Sequence, residues 1–217
     1  MQHFSQSADT LLRFALAAIV LAFGLAVVLL LAWPFTTHAT GQGRVVAQPV
    51  QFSHAHHVGG LGLDCRYCHD TVQRSRFAGL PPTHTCMTCH SQVWTQAEML
   101  APVRRSLAEN RPLAWKRVHD LPDYVFFDHS VHVANGVGCS TCHGAVQTMQ
   151  QISQAAPLTM EWCLDCHRNP ARWLREEDRV FDMQWTPPPD QAERGRRLLA
   201  HYGIRAEHLT DCSRCHR

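Results

Sequence analysis

The chain has 217 residues, with 20 Lys and Arg against 18 Asp and Glu, a formal net charge of +2 and a charged fraction of 18%. One or two domains fit that length, and a near-neutral balance gives no electrostatic footing for nucleic acid, of which no motif is present either. The charged fraction is low against the roughly 25% of an ordinary soluble domain, which asks for an apolar segment.

That segment comes early. Residues 1–13 read as a short polar head with His3, Asp9 and Arg13, and residues 14–35, from Phe14 to Phe35, carry no charge. A helix of those 22 residues is about 33 Å long, enough to cross a hydrocarbon core of about 30 Å. A cleaved signal peptide is the competing reading, but its apolar region runs to only about 7–15 residues. Here Trp33 stands where an interfacial aromatic belongs, and no A-x-A site follows, which favours a retained anchor. Residues 36–50, with Gly41, Gly43 and Pro49, read as a polar linker.

Next comes Phe52-Ser53-His54-Ala55-His56-His57, followed by Cys65-Arg66-Tyr67-Cys68-His69 and Cys86-Met87-Thr88-Cys89-His90. The Phe77–Pro82 stretch between them reads as a turn. Residues 92–100 suggest a short helix stopped before Pro102, and residues 104–111 another turn of helix. His119 then lies within Trp115-Lys116-Arg117-Val118-His119-Asp120-Leu121-Pro122. A second box, Phe127-Asp128-His129-Ser130-Val131-His132, leads to Cys139-Ser140-Thr141-Cys142-His143 and Cys163-Leu164-Asp165-Cys166-His167. Asn169-Pro170 predicts a helix start, running to about Phe181. Trp185-Thr186-Pro187-Pro188-Pro189 is a stiff linker. Asp190 and Glu193 look like a capping box for a helix that Gly203 stops. Cys212-Ser213-Arg214-Cys215-His216 ends the chain.

The order is duplicated. His54 precedes Cys65 by 11 positions and His129 precedes Cys139 by 10, while Cys65 to Cys86 is 21 and Cys139 to Cys163 is 24. Residues 51–111 and 112–170 are therefore two repeats, and residues 171–217 carry the C-terminal helices and the fifth motif.

All 10 cysteines fall in C-x-x-C-H pentapeptides, the spacing that lets two thiols reach the two vinyl groups of a haem while the next imidazole sits under its iron. The expectation is five covalently bound haem c groups. Two of the gaps would suit a zinc ribbon, but zinc does not require a His after every second Cys, and the fifth motif has no partner for a four-cysteine site. Local C-x-x-C disulfides would close tiny loops and stabilise little. The thioether-forming residues are thus Cys65, Cys68, Cys86, Cys89, Cys139, Cys142, Cys163, Cys166, Cys212 and Cys215, with proximal ligands His69, His90, His143, His167 and His216. The boxes put two imidazoles one helical turn apart, so His54 and His57 suit the first repeat and His129 and His132 the second. For the fifth sixth-position ligand His119 leads, with His84, His201, His208 and Met160 as rivals. The basic residues are almost all Arg, Lys116 being the one lysine, and the Arg fork suits haem propionates. Strand signals are sparse, so the fold expected is mainly α and coil: one N-terminal transmembrane helix, then a multihaem domain in which haem faces replace much of the side-chain core. Because c-type haem is attached on the outer face of an energy-conserving membrane, residues 1–13 should be cytoplasmic. The haem domain should then lie on the periplasmic, outer face of the inner membrane, held by a single pass.

The two Phe-x-His-x-x-His boxes resemble the ligand boxes of class III multihaem cytochromes. Over essentially the full chain, the anchor, Asp64-Cys65-Arg66-Tyr67-Cys68-His69, Arg117-Val118-His119-Asp120-Leu121-Pro122 and Met160-x-Trp162-Cys163-Leu164-x-Cys166-His167-Arg168-Asn169-Pro170 resemble the pentahaem membrane subunits of alternative complex III. The resemblance implies a quinol-oxidising respiratory complex in which this subunit relays electrons between iron-sulfur clusters and a monohaem cytochrome c, beside multispan membrane subunits. His84 is outside that pattern. Such a relay has no catalytic residues of its own. The alternatives are a stand-alone tetrahaem-type quinol dehydrogenase and a multihaem reductase with an open haem. The haem number and long linker argue against the first, and the absence of a C-x-x-C-K motif against the second.

Overall fold

The computed structural model describes residues 6–216, which divide into one compact unit ending at Gly41 and another beginning at Gln42. The start of the expected head, residues 1–5 with His3, and Arg217 lie outside the described residues.

In the first unit a single long helix, α1 (Gln6–Ala32), runs into a 3-10 turn at Trp33–Phe35 and a short helix, α2 (Thr37–Thr40). The helix begins well before Phe14, because Ala8, Leu11 and Leu12 are good helix formers and Asp9 pairs with Arg13 one turn on at 2.9 Å. Its apolar side chains are exposed on every side, Phe14, Leu21 and Leu30 each above 70%. The segment Ser7–Phe35 is long and apolar enough to cross a membrane, the make-up of an anchor or a signal segment.

The second unit is helix and coil. Among the described residues it has no strand, only isolated antiparallel bridges at Val45–Ser153, Val125–His216 and Val137–Leu174. Its helices are short: a π-helical turn at Ala55–Gly60, then α3 (Cys65–Cys68), α4 (Thr83–His90), α5 (Ala101–Ala108), α6 (His129–Ala134), α7 (Cys139–His143), α8 (Met160–Arg168) and α9 (Gln191–His201). The expected class, mainly helical and coil with an apolar N-terminal helix, is the one observed.

Several local expectations are corrected. Residues 92–100 do not form a helix, since Trp94 turns to φ 54° and only a 3-10 turn at Glu98–Leu100 follows. Pro102 does not stop a helix but opens α5, where its missing N–H would have no partner in any case. The expected turn of helix at 104–111 is the end of α5, closed by Asn110 at φ 50°. From Asn169 the chain makes only 3-10 turns at Pro170–Arg172 and Glu177–Arg179, because the intervening residues pair elsewhere: Leu174 bridges Val137, and Arg175 N–H donates to Gly136 O at 2.8 Å. Asp190 is the N-cap of α9, yet its side chain makes no capping bond and pairs with Arg194 instead, at 3.4 Å. Gly203, at φ 65°, sits just past the end of α9 as expected.

Buried apolar side chains are few and scattered. Val50, Leu100 and Val103 form one small cluster with Trp115 and Leu113 against it, and Leu174, Val180 and Leu198 sit near the packing of α9 on the Pro170–Arg172 turn. At that second contact Gly195 lies so close to Ala171 that a Cβ would meet the Ala171 carbonyl. Gly195→Ala is therefore expected to lower stability by about 1–3 kcal/mol through overpacking. Gly60→Ala, whose Cβ would meet only Ala55 O at 3.7 Å, should lose far less in the same thermal unfolding measurement.

Candidate functional site

Each C-x-x-C-H motif is presented by a short helix or turn, and two of these starts are fixed by a side-chain cap. Asp64 caps α3 by accepting from Arg66 N–H at 2.8 Å, and Thr159 caps α8 through Trp162 N–H at 3.4 Å. Asp128 Oδ1 accepts from Ser130 N–H at 2.8 Å and opens α6, so that His129 and His132 follow one turn apart. His54 stands at the start of the π-helical turn and His57 within it. In both boxes the Phe ring braces the imidazoles: Phe52 lies 4.9 Å from His54 and 4.3 Å from His57, and Phe127 lies 4.8 Å from His129 and 4.6 Å from His132.

The imidazoles share a second feature. His69 Nδ1 donates to Gly79 O at 2.7 Å, His90 to Val93 O at 3.2 Å, His167 to Leu209 O at 2.9 Å and His216 to Tyr124 O at 3.2 Å. Among the box histidines, His57 donates to Ser53 O at 2.8 Å, His129 to Arg76 O at 2.8 Å and His132 to Asp128 O at 2.7 Å. A carbonyl can only accept, so each Nδ1 carries the proton and each Nε2 keeps its lone pair, the tautomer and second shell of a metal-binding imidazole. His54 and His143 differ. His54 Nδ1 is buried without a partner, and His143 Nδ1 lies 3.2 Å from His119 Nε2.

Ring separations then pair these groups. His57 and His90 have centres 6.2 Å apart, His129 and His143 6.2 Å, and His132 and His167 6.1 Å. Two imidazoles on opposite sides of one metal ion, each about 2 Å away through nitrogen, have ring centres about 6 Å apart. His54 lies near His69, and burial together with that neighbour lowers its pKa to about 4. Burial, then His119 and His129, lowers His143 to about 3. Neutral imidazole is the form that binds iron. His119 is drawn to His143, with ring centres 4.3 Å apart, and His216 stacks on Tyr124 at 5.9 Å. Met160 stands at the first position of α8, 63% exposed. Of the remaining rivals, His208 pairs with Asp211 at 3.4 Å and His201 lies edge-on to Tyr202 at 5.0 Å.

The thiols are equally ordered. All 10 cysteines are free. Burial holds Cys68 above the ordinary thiol range, with Cys86 adding to it, and a side-chain hydrogen bond joins Cys65 to Cys139 and pushes Cys139 up. Burial pushes Cys142 up to about 12, helped by Cys166 and Cys163, and Cys163 in turn feels Cys215. Read in series, these influences make the motifs neighbours in the order second, first, third, fourth, fifth. Among the described residues no three His, Cys, Asp or Glu side chains converge on one metal-sized point, as a zinc site would need.

These residues fit haem on three grounds. A cavity of about 1490 Å³ is lined by the thiols of the first three motifs, by their His69, His90 and His143, and by His54, His57, His119, His129 and His132. Apolar side chains such as Val46, Leu63, Leu80, Val133 and Phe181 line it too, suiting a flat apolar group. His54 Nδ1 is an orphaned buried donor at its edge. The tautomers set by the backbone carbonyls leave iron-binding nitrogens free on both sides.

Sequence reasoning missed the carbonyl partners, which are backbone groups without a residue signature. It also missed Arg175. The residue is 2% exposed, and its guanidinium donates to Ser140 Oγ at 2.7 Å and Thr141 Oγ1 at 3.1 Å, the two central residues of the third motif.

Comparison with known proteins agrees with this geometry. Residues 125–217 match the family described as cytochrome c7 and related cytochrome c. The chain is also 30% identical over 170 residues to the menaquinone reductase multihaem cytochrome c subunit of Nitratidesulfovibrio vulgaris Hildenborough, an alignment covering 78% of this chain and 67% of that protein. The chain belongs to the multihaem c-type cytochromes, proteins of electron transfer that bind their haems covalently.

Proposed function

We propose that the chain is a pentahaem electron relay, anchored by α1 in the inner membrane with its haem unit on the outer face, and that it works as one subunit of a quinone-linked membrane complex. The observation that carries this reading is the continuous series of thiol neighbours, Cys86–Cys68, Cys65–Cys139, Cys142–Cys163 and Cys163–Cys215, which favours one unbranched file of five haems. Opposed imidazoles support saturated iron: His57 with His90, His129 with His143 and His132 with His167, while His54 lies near His69. Groups held that way, when bound, supply reversible one-electron chemistry, and the protein's part is to fix ligands, neutral tautomers and a dry surround. For the fifth motif His216 supplies the near side. His119 lies against His143 rather than His216, and Met160 stands at the exposed start of α8.

Within that role the complex is alternative complex III, with iron-sulfur and multispan membrane subunits as neighbours and a monohaem cytochrome c as acceptor, the reading the full-length motif pattern supports. A second reading follows from the relative, a subunit of a menaquinone reductase, in which electrons would run toward quinone. Purification from the native membrane distinguishes them. Co-purified iron-sulfur and multispan subunits with quinol-driven cytochrome c reduction support the first, and quinone reduction by a reduced cytochrome supports the second. Intact mass of the holoprotein tests the relay itself: five haem additions are expected, and a mass showing fewer would overturn the pentahaem reading.

A further inference from the structure

We infer that Arg175 is a fixed, buried cation that raises the reduction potential of the haem held by Cys139, Cys142 and His143. The inference rests on the proposed relay and adds to it a residue that tunes one of its centres.

Arg175 is set apart from the other described arginines by its burial. Arg13, Arg66, Arg74, Arg117, Arg179, Arg194 and Arg197 pair with carboxylates nearer the surface, whereas buried Arg175 has no carboxylate oxygen within ion-pair distance among the described residues. Its Nη atoms meet neutral acceptors: the Ser140 and Thr141 hydroxyls and Asp182 O, at 2.7, 3.1 and 3.1 Å. The Trp185 ring lies 4.2 Å from its central carbon, and its Nε is buried without a partner. The nearest acid, Asp182, commits its carboxylate to Arg179 at 3.1 Å and to Gln184 N–H at 2.9 Å. Gly138, just before the third motif, has no Cβ and so lets the guanidinium press against the backbone there. Tyr202 Oη donates to Arg175 O at 2.8 Å, fixing the residue from behind.

A positive charge held in a low-dielectric surround beside a redox centre favours the state with one more electron, and burial keeps salt from screening it. Reduction here adds one electron from the adjacent haem or an external donor, with no bond broken and no proton moved. The iron goes from ferric to ferrous while Arg175 stays protonated. Net charge and hydrogen bonding near the macrocycle are recognised determinants of haem potential.

The test is a spectroelectrochemical titration of the full-length holoprotein, with haem content counted by mass in every sample. Loss of one wave in the Cys139→Ala/Cys142→Ala protein assigns the third haem. Arg175→Gln is expected to weaken reduction at that wave about tenfold, ~59 mV for a one-electron couple, and Arg175→Lys to retain most of the parental value. Should Arg175→Gln fail to fold, Ser140→Asp keeps Arg175 and places a carboxylate against it, and the same downward shift is expected. An unmoved third wave in either charge-neutralising variant, or equal movement of all waves, overturns the role of Arg175. A parental protein lacking haem on Cys139 and Cys142 would instead overturn the relay reading on which it rests.

Discussion

Converting both Cys139 and Cys142 to Ser is expected to yield a protein with one haem fewer than its parent, in which electrons no longer equilibrate between the Cys86 end and the Cys212 end. The third motif stands between the halves: the Cys139 thiol hydrogen-bonds to that of Cys65 in the first repeat, and Cys142 lies near Cys163 and Cys166 of the second. Because electron transfer falls off exponentially with separation, removing a central member should slow end-to-end equilibration by orders of magnitude. The matched control, Cys212→Ser/Cys215→Ser, removes a terminal member and should leave equilibration among the others at its parental rate. Rapid-mixing reduction followed in the α band, with haem counted by mass, reads both. Equal rates in the two variants would mean that the file is branched or ordered differently.

The second large effect is expected from one position within the first box. His57→Gly should expose an iron so that the reduced protein binds one carbon monoxide per polypeptide and returns to its parental spectrum when imidazole is added. His56→Gly, one residue earlier, should bind none. His57 has its Nδ1 held by Ser53 O at 2.8 Å and its ring centre 6.2 Å from His90. The His56 ring instead lies toward Trp94, 6.1 Å away. Carbon monoxide binding in the His56→Gly protein and not in the other would reverse the assignment.

Candidate attachment and ligand residues could be named from the sequence because haem attachment fixes covalent spacing. Five pentapeptides and two histidine boxes could be read as ligand sets, and the structure brings His57, His129 and His132 opposite the proximal histidines of their own repeats. What could not be read is how the repeats meet. Their first motifs adjoin through Cys65 and Cys139, a contact encoded by no spacing. Helix signals misled at Pro102, where proline opens α5, and after Asn169, where Leu174 and Arg175 leave the helical path to pair with Val137 and Gly136. His119 read as the leading candidate for the fifth sixth-position ligand, and its ring centre lies 4.3 Å from that of His143. Arg175 was one arginine among many until burial set it apart.

Several imidazoles are oriented by backbone from another part of the chain: His129 by Arg76 of the first repeat, His167 by Leu209 near the carboxyl end, and His216 by Tyr124 of the second repeat. The first repeat's His57, His69 and His90 are instead held by carbonyls of their own repeat. The dependence thus runs one way: the later segments borrow backbone from elsewhere, and a change of backbone at Leu209 is expected to disturb His167, far earlier in the chain.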